Sequence, residues 1–322
     1  MTNPLLSISD LGVSFRSDEG RVHAVNNVSF SIDGGKTLAI VGESGSGKSV
    51  TALSILQLLG DAGRIDAGTI MFEGVDLAQH TPSAMRHIRG NQISMIFQEP
   101  MTSLNPVIKV GRQVAEPLVL HQGLSWQQAL SQAETLLHQV AIPDPKARLE
   151  DYPHQLSGGM RQRVMIAMAL ACSPKLIIAD EPTTALDVTV QAQILALLKD
   201  LTRQTGAALI LITHDLGVVA RYADHVVVMY GGRMMESTTA AQLYRTPKHP
   251  YTKGLMSAIP SLDSDTNLEL ATIDGQPPNL ANPPQGCPFA PRCTLAEATC
   301  NAAPPDPREV GSNHLMACIY DD

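Results

Sequence analysis

Apolar and polar residues alternate in "LLSISDLGVSF" and again in "VNNVSFSI", the pattern of half-buried antiparallel strands. "TLAIVG" is instead a continuous apolar run, which predicts a strand buried on both faces. The Gly-rich "GESGSGKS" follows, and then "VTALSILQLLG", which has helical period. From about residue 100 to 156, apolar positions recur three and four apart, as in "ALSQAETLLHQVAI", and predict a largely helical region. "RQRVMIAMALAC" reads as another helix. "KLIIAD" and "ALILIT" read as short buried strands separated by the helix "VQAQILALLKDLTRQ". "HVVVMYGGRMMES" reads as a hairpin turning at Gly231-Gly232. Strands alternating with helices predict an α/β fold with a mainly parallel sheet. Beyond about residue 245 the periodicity is lost and prolines cluster from Pro277 to Pro307, which predicts an appended, loop-rich segment.

Composition refines this little. The 322 residues are 44% hydrophobic and 17% charged, as in an ordered globular protein of one large domain or two smaller ones. A net charge of -8 argues against a general nucleic-acid binder. The opening "MTNPLLSISD" lacks the cationic-then-apolar order of a signal peptide, and no apolar run approaches a membrane span. The expectation is a cytosolic protein, where structural disulfides are rare.

Gly42 to Ser49 matches G-x-x-x-x-G-K-[ST] between a buried strand and a helix, the context this phosphate loop requires. Its glycines let backbone N–H groups face the phosphates, and the helix N-terminus favours the anion. Gly42, Ser44, Gly45, Ser46, Gly47 and Val50 therefore join the ATP-site candidates, with Lys48 on the β- and γ-phosphates and Ser49 on Mg²⁺. "KLIIADEP" ends a buried strand in two acids. Asp180 suits the Mg²⁺ shell, and Glu181 suits proton acceptance from an attacking water.

"LSGGMRQR" begins with a good N-cap, Ser157, and two glycines, Gly158 and Gly159, that admit a ligand to the first helical turn. Alone it reads as an ordinary capped helix. Before "ADEP" it resembles the signature sequence of ABC ATPases, with Met160 standing where many members have Gln. Gln98 in "MIFQEP" resembles the Q-loop glutamine, Ala185-Leu186-Asp187 the D-loop, and His214 in "LITHD" the switch histidine. Phe15 is the candidate for stacking on adenine. The resemblance implies catalytic roles for Glu181, His214 and Gln98, with Gln98 also on Mg²⁺, and contacts from Ser157, Gly158, Gly159 and Asp187 to the ATP of a facing subunit. It also implies a P-loop NTPase (RecA-like) core with an antiparallel β subdomain. On this reading residues 1–245 are the nucleotide-binding domain, with a helical subdomain over about 98–157, and residues 246–322 a C-terminal extension.

"KHPYTKGLMSAIPSLD", "QEPMTSLNPV" and "YPHQLSGGMRQRVMIAMAL" resemble the ATPase subunits of dipeptide and oligopeptide importers, D type. That implies a peripheral subunit on the cytoplasmic face of a bacterial inner membrane. Its partners would be a second, paralogous ATPase, two transmembrane permease subunits and a periplasmic peptide-binding protein. ATP would close the ATPase dimer and hydrolysis reopen it. Apolar residues from Met101 to Val107 are candidate docking points, or pack on their own domain. An importer of another solute, such as nickel, and a non-transport ABC ATPase are the alternatives.

Four of the five cysteines, Cys287, Cys293, Cys300 and Cys318, lie in the last few dozen residues. Cys172 sits in an apolar helix and reads as a small core residue. The four could hold a [4Fe–4S] cluster, which accepts irregular loops; zinc, whose usual tight knuckles are missing; or nothing, as free thiols. The cluster is the favoured reading, with a structural role in a segment that lacks a core of its own, outside the ATP site.

Overall fold

The computed structural model describes residues 3–18, 20–184, 186–258 and 272–320. These fall into two compact units, one within 1–32, 37–79 and 212–322, the other within 33–36 and 80–211. The strands are β1 (Leu6–Ser17), β2 (Gly20–Ile32), β3 (Thr37–Val41), β4 (Gly63–Phe72), β5 (Val75–Asp76), β6 (Ile93–Ile96), β7 (Leu176–Asp180), β8 (Ala208–Thr213), β9 (His225–Tyr230), β10 (Arg233–Thr239), β11 (Arg308–Gly311) and β12 (His314–Met316).

The first unit holds an antiparallel sheet in the order β2-β1-β4-β5. β1 sends Leu6, Ile8, Leu11 and Val13 inward, each almost fully buried, with a register shift between Ile8 and Leu11 that keeps both pairs on one face. Leu6 pairs with Ile32 on one side and Phe72 on the other. The sequence pattern did not reveal β4, because "GRIDAGTIMF" mixes two glycines and an aspartate into its pleat.

The same unit carries β11-β12-β10-β9-β3 as neighbours. Every residue of β3 is buried, and β3 runs parallel to β9. β9 and β10 form the expected hairpin, turning at Gly231 and Gly232 with φ of 55° and 76°. Positive φ at both central residues is what a type I′ two-residue hairpin loop demands, and glycine meets it without strain.

The C-terminal segment differs from its expectation. It adds two strands to this sheet, with Met316 of β12 opposite Glu236 of β10. It also contributes Tyr251, Cys287, Phe289, Ala290 and Cys300 to the core formed by Val41, Val226, Val228 and Tyr230. Phe289 lies with ring centroids 5.4 Å from Tyr230 and 5.3 Å from Tyr251. The segment thus borrows the ATPase unit's core, which sequence periodicity could not reveal because its apolar residues arrive on turns.

In the second unit β6 and β7 are parallel, and β8 follows β7 in the sheet. The helices Val110–Gln122 and Trp126–Gln139 occupy the region predicted as helical. Ser125 and Gln128 cap the latter reciprocally, and Ala129, Ala133, Leu136 and Leu137 form its buried stripe. Cys172 is buried, as the apolar helix preceding it predicts. Among the described residues no helix is long and apolar enough to cross a membrane.

Candidate functional site

The phosphate-loop motif sits between β3 and the helix Lys48–Ile55. Gly42, Gly45 and Gly47 have φ of 149°, 76° and 97°. A Cβ on Gly42 would lie 2.1 Å from the Met229 carbonyl oxygen, and one on Gly47 2.6 Å from that of Ala24. Both glycines are therefore required by sterics as well as by backbone angle. The hairpin turn secures the loop from outside, since Gly232 N–H donates to the Ser46 carbonyl at 3.1 Å.

Lys48 is buried, and its Nζ donates to the carbonyls of Gly42 and Glu43, each at 2.9 Å. The ammonium is thereby held inside the curve of the loop. Ser46 is buried, Ser44 and Gly45 are exposed, and Ser49 and Val50 are half-buried on the first helical turn. Phe15 is half-buried near the end of β1, with its ring against Gly63. His214 is exposed directly after β8.

In the second unit Asp180 ends β7 and is 6% exposed. The next residue, Glu181, has φ of 45°, a left-handed backbone that non-glycine residues adopt at a cost of order 1 kcal/mol or more. Its carboxylate accepts from Gln98 Nε2 at 3.1 Å and from Thr184 Oγ1 at 3.0 Å. The structure thus brings together Gln98 and Glu181, 83 residues apart in the chain. Ser157 caps the helix Gly158–Leu170 by accepting from Met160 N–H. Gly159 approaches Val190 so closely that a Cβ would lie 3.0 Å from it. Asp187 caps the helix Val188–Thr205, and Ala185 lies outside the described residues.

A shallow groove of about 440 Å³ in the same unit is lined by Val107, Ile108, Arg112, Trp126 and Tyr152. Val107 is 79% exposed, and the Arg112 guanidinium stacks over the Trp126 ring at 5.0 Å. The side chain of Met101, the other end of the expected docking stretch, lies outside the described residues.

The placement of the cysteines does not support the expected metal centre. Among the described residues, no group of three or more His, Cys, Asp or Glu side chains is placed to hold a metal ion. All five cysteines are free thiols. Burial pushes the Cys287 and Cys293 thiols up, with a smaller contribution in the same direction from Cys318 and Cys300, while backbone N–H groups pull the other way. As placed, Cys287 and Cys300 act as apolar filling of the core with Cys293 packed against them.

The extension also does not stay outside the phosphate loop. Tyr251 Oη accepts from Glu43 N–H at 3.0 Å, and Arg292 pairs with the Glu43 carboxylate at 2.8 Å. Sequence reasoning missed Glu43, Tyr251 and Arg292. Glu43 occupies a free position of its motif, and nothing in spacing ties it to an arginine 249 residues away.

The chain is similar to known proteins along almost its full length. Residues 25–184 match the ABC transporter family, and residues 235–300 match the oligopeptide/dipeptide transporter C-terminal region. The chain is 54% identical to the oligopeptide transport ATP-binding protein OppD of Haemophilus influenzae, covering 94% of this chain and 93% of that one. It is 51% identical to the dipeptide transport ATP-binding protein DppD of Bacillus subtilis, covering 99% and 95%. A dimeric ATP-binding cassette in a post-hydrolysis state, bound to ADP and Pi, superposes with a TM-score of 0.66 at 28% identity, covering 73% of this chain and 98% of the other.

Proposed function

Since the chain belongs to the ABC ATPase family, in the branch carrying the oligopeptide/dipeptide transporter C-terminal region, we propose that it is the ATP-hydrolysing subunit of a peptide importer. It acts on the cytoplasmic face of a bacterial inner membrane, as a peripheral subunit. The observation that carries the reading is the match of residues 235–300 to the peptide-transporter C-terminal region, on a chain whose relatives are peptide-transport ATPases along almost its full length. Residues 1–245 form the ATPase domain and residues 246–322 its extension.

In this reading ATP lies on Gly42 to Val50, with Lys48 on the β- and γ-phosphates and Phe15 against adenine. Ser49, Asp180 and Gln98 would hold Mg²⁺, which would neutralise phosphate charge. Glu181 accepts the proton of the attacking water, and Gln98 orients it through the 3.1 Å hydrogen bond. His214 contacts the γ-phosphate. A second, paralogous ATPase presents its own signature helix to this site, while Ser157, Gly158, Gly159 and Asp187 serve the partner's ATP. Two permease subunits dock at the Val107–Trp126 groove, and a periplasmic binding protein delivers the peptide.

The test is uptake. A strain lacking the gene loses import of labelled di- and oligopeptides, and the wild-type chain restores it where Glu181→Gln does not. Intact peptide uptake with lost nickel uptake would transfer the same chemistry to the other solute.

A second reading concerns the four C-terminal thiols. One observation favours a [4Fe–4S] cluster on loading: Cys287 and Cys300 lie in one buried cluster with Cys293 packed against it, and Cys287 N–H donates to the Cys300 carbonyl at 2.8 Å. Their present placement does not form a ligand set. Iron and acid-labile sulfide analysis after anaerobic purification decides it. Four of each per chain supports the cluster, zinc alone supports the other metal, and metal-free protein leaves four core thiols.

A further inference from the structure

Arg292 ends a short 3-10 turn, Ala290–Arg292, in the C-terminal extension. Its Nη1 lies 3.0 and 2.8 Å from the two carboxylate oxygens of Glu43 and 3.0 Å from Tyr230 Oη. Its Nε donates to the Asp274 carbonyl and its Nη2 to that of Ile273. The side chain is 6% exposed, and that of Glu43 25%. Backbone carbonyls of the extension therefore hold one side of the guanidinium, while Nη1 reaches Glu43 of the phosphate loop and Tyr230 of β9.

Glu43 follows the first glycine of that loop. Its carbonyl accepts from Lys48 Nζ and its N–H donates to Tyr251. A carboxylate at this position works against the loop's purpose, because the loop gathers N–H groups and an ammonium to attract a polyanion. A cation that is paired, desolvated and fixed in place removes that opposition. Loop shape and loop charge thus both depend on a residue far outside the motif.

We propose that Arg292 is a positioning residue for ATP, which neutralises Glu43 and fixes the Gly42–Glu43 turn so that the C-terminal extension sets the nucleotide affinity of its own subunit. The inference rests on the reading that Gly42 to Ser49 binds ATP.

The experiment is equilibrium binding of mant-ATP to the full chain, with ATPase kcat and KM measured in the assembled transporter. Arg292→Met is expected to raise Kd and KM about tenfold with kcat little changed. Glu43→Gln in that background returns Kd to within about threefold of wild type, because the uncompensated carboxylate is gone. Arg292→Lys, which keeps the charge, retains most of the affinity. Unchanged affinity in Arg292→Met overturns the inference, as does a loss that Glu43→Gln does not restore, since packing alone would then be the cause. Should Arg292→Met not fold, Arg292→Gln, which keeps a donor but not the charge, is read against Arg292→Lys. About a tenfold loss in the former with affinity held within about threefold in the latter supports the charge argument, and equal affinities overturn it. A wild-type chain that binds no ATP overturns the phosphate-loop reading and this inference together; binding by wild type with an indifferent Arg292→Met overturns only the latter.

Discussion

Glu181 Oε2 accepts a hydrogen bond from Gln98 Nε2 at 3.1 Å, across two strands that are neighbours in one parallel pair. Glu181 sits in left-handed backbone immediately after β7, and Gln98 lies just past the end of β6. A strained acid held by an amide from the adjacent strand end is aimed rather than free to rotate.

Glu181→Gln should keep ATP binding and lower turnover by about a hundredfold or more, the scale of a lost general base. Gln98→Ala should leave the carboxylate in place but unaimed, with a smaller loss in kcat. Both are read as kcat and nucleotide Kd in the assembled complex. Near-normal turnover in Glu181→Gln would remove it from the catalytic role.

Lys48→Ala removes an ammonium held by two loop carbonyls. Charge-assisted hydrogen bonds contribute about 1.5–3 kcal/mol each, so ATP affinity should fall by at least tenfold. Isothermal titration with ATP and Mg²⁺ checks it, and unchanged affinity would count against the loop reading.

Gly42→Ala places a methyl 2.1 Å from the Met229 carbonyl oxygen at a φ of 149°. The closest atom is backbone, with the Ser46 hydroxyl next at 2.9 Å, so the backbone of the loop or of β9 must shift. A loss of several kcal/mol in stability, or a folded protein without nucleotide binding, is the expected outcome by thermal melt and ATP titration.

Acid should weaken the link between extension and core. Burial holds His249 down to about 4 against the ordinary 6.5, although the neighbouring Glu236 pulls it up. Its Nδ1 accepts from Tyr251 N–H, and Glu236 accepts from the N–H groups of Lys248 and His249 and pairs with His314. Between pH 6.5 and 4 the unfolded chain binds this proton and the folded one does not. Stability therefore falls as pH drops through that window, by up to about 3 kcal/mol from His249 alone, and is insensitive to this group above it. His225, also lowered mainly by burial, adds in the same direction. Urea unfolding at pH 7.5 and pH 5 measures the slope, and His249→Gln should flatten it.

The sequence by itself determined the phosphate loop, the acid pair at the end of β7, the capped signature helix and the strands that carry them. Those features are local: glycine angles, a cap and an apolar run are set by neighbours in the chain. It also placed the hairpin at Gly231-Gly232 for the same reason. Tertiary structure alone decided which distant groups meet these motifs. The Arg292–Glu43 pair, the hydrogen bond from Gln98 to Glu181 and the burial of Phe289 between Tyr230 and Tyr251 join residues tens to hundreds of positions apart. No periodicity encodes such pairs, because a turn can deliver a side chain from any distance along the chain. The cysteine spacing could not decide a metal site for a related reason: four thiols near in sequence are a ligand set only if backbone geometry aims them at one point.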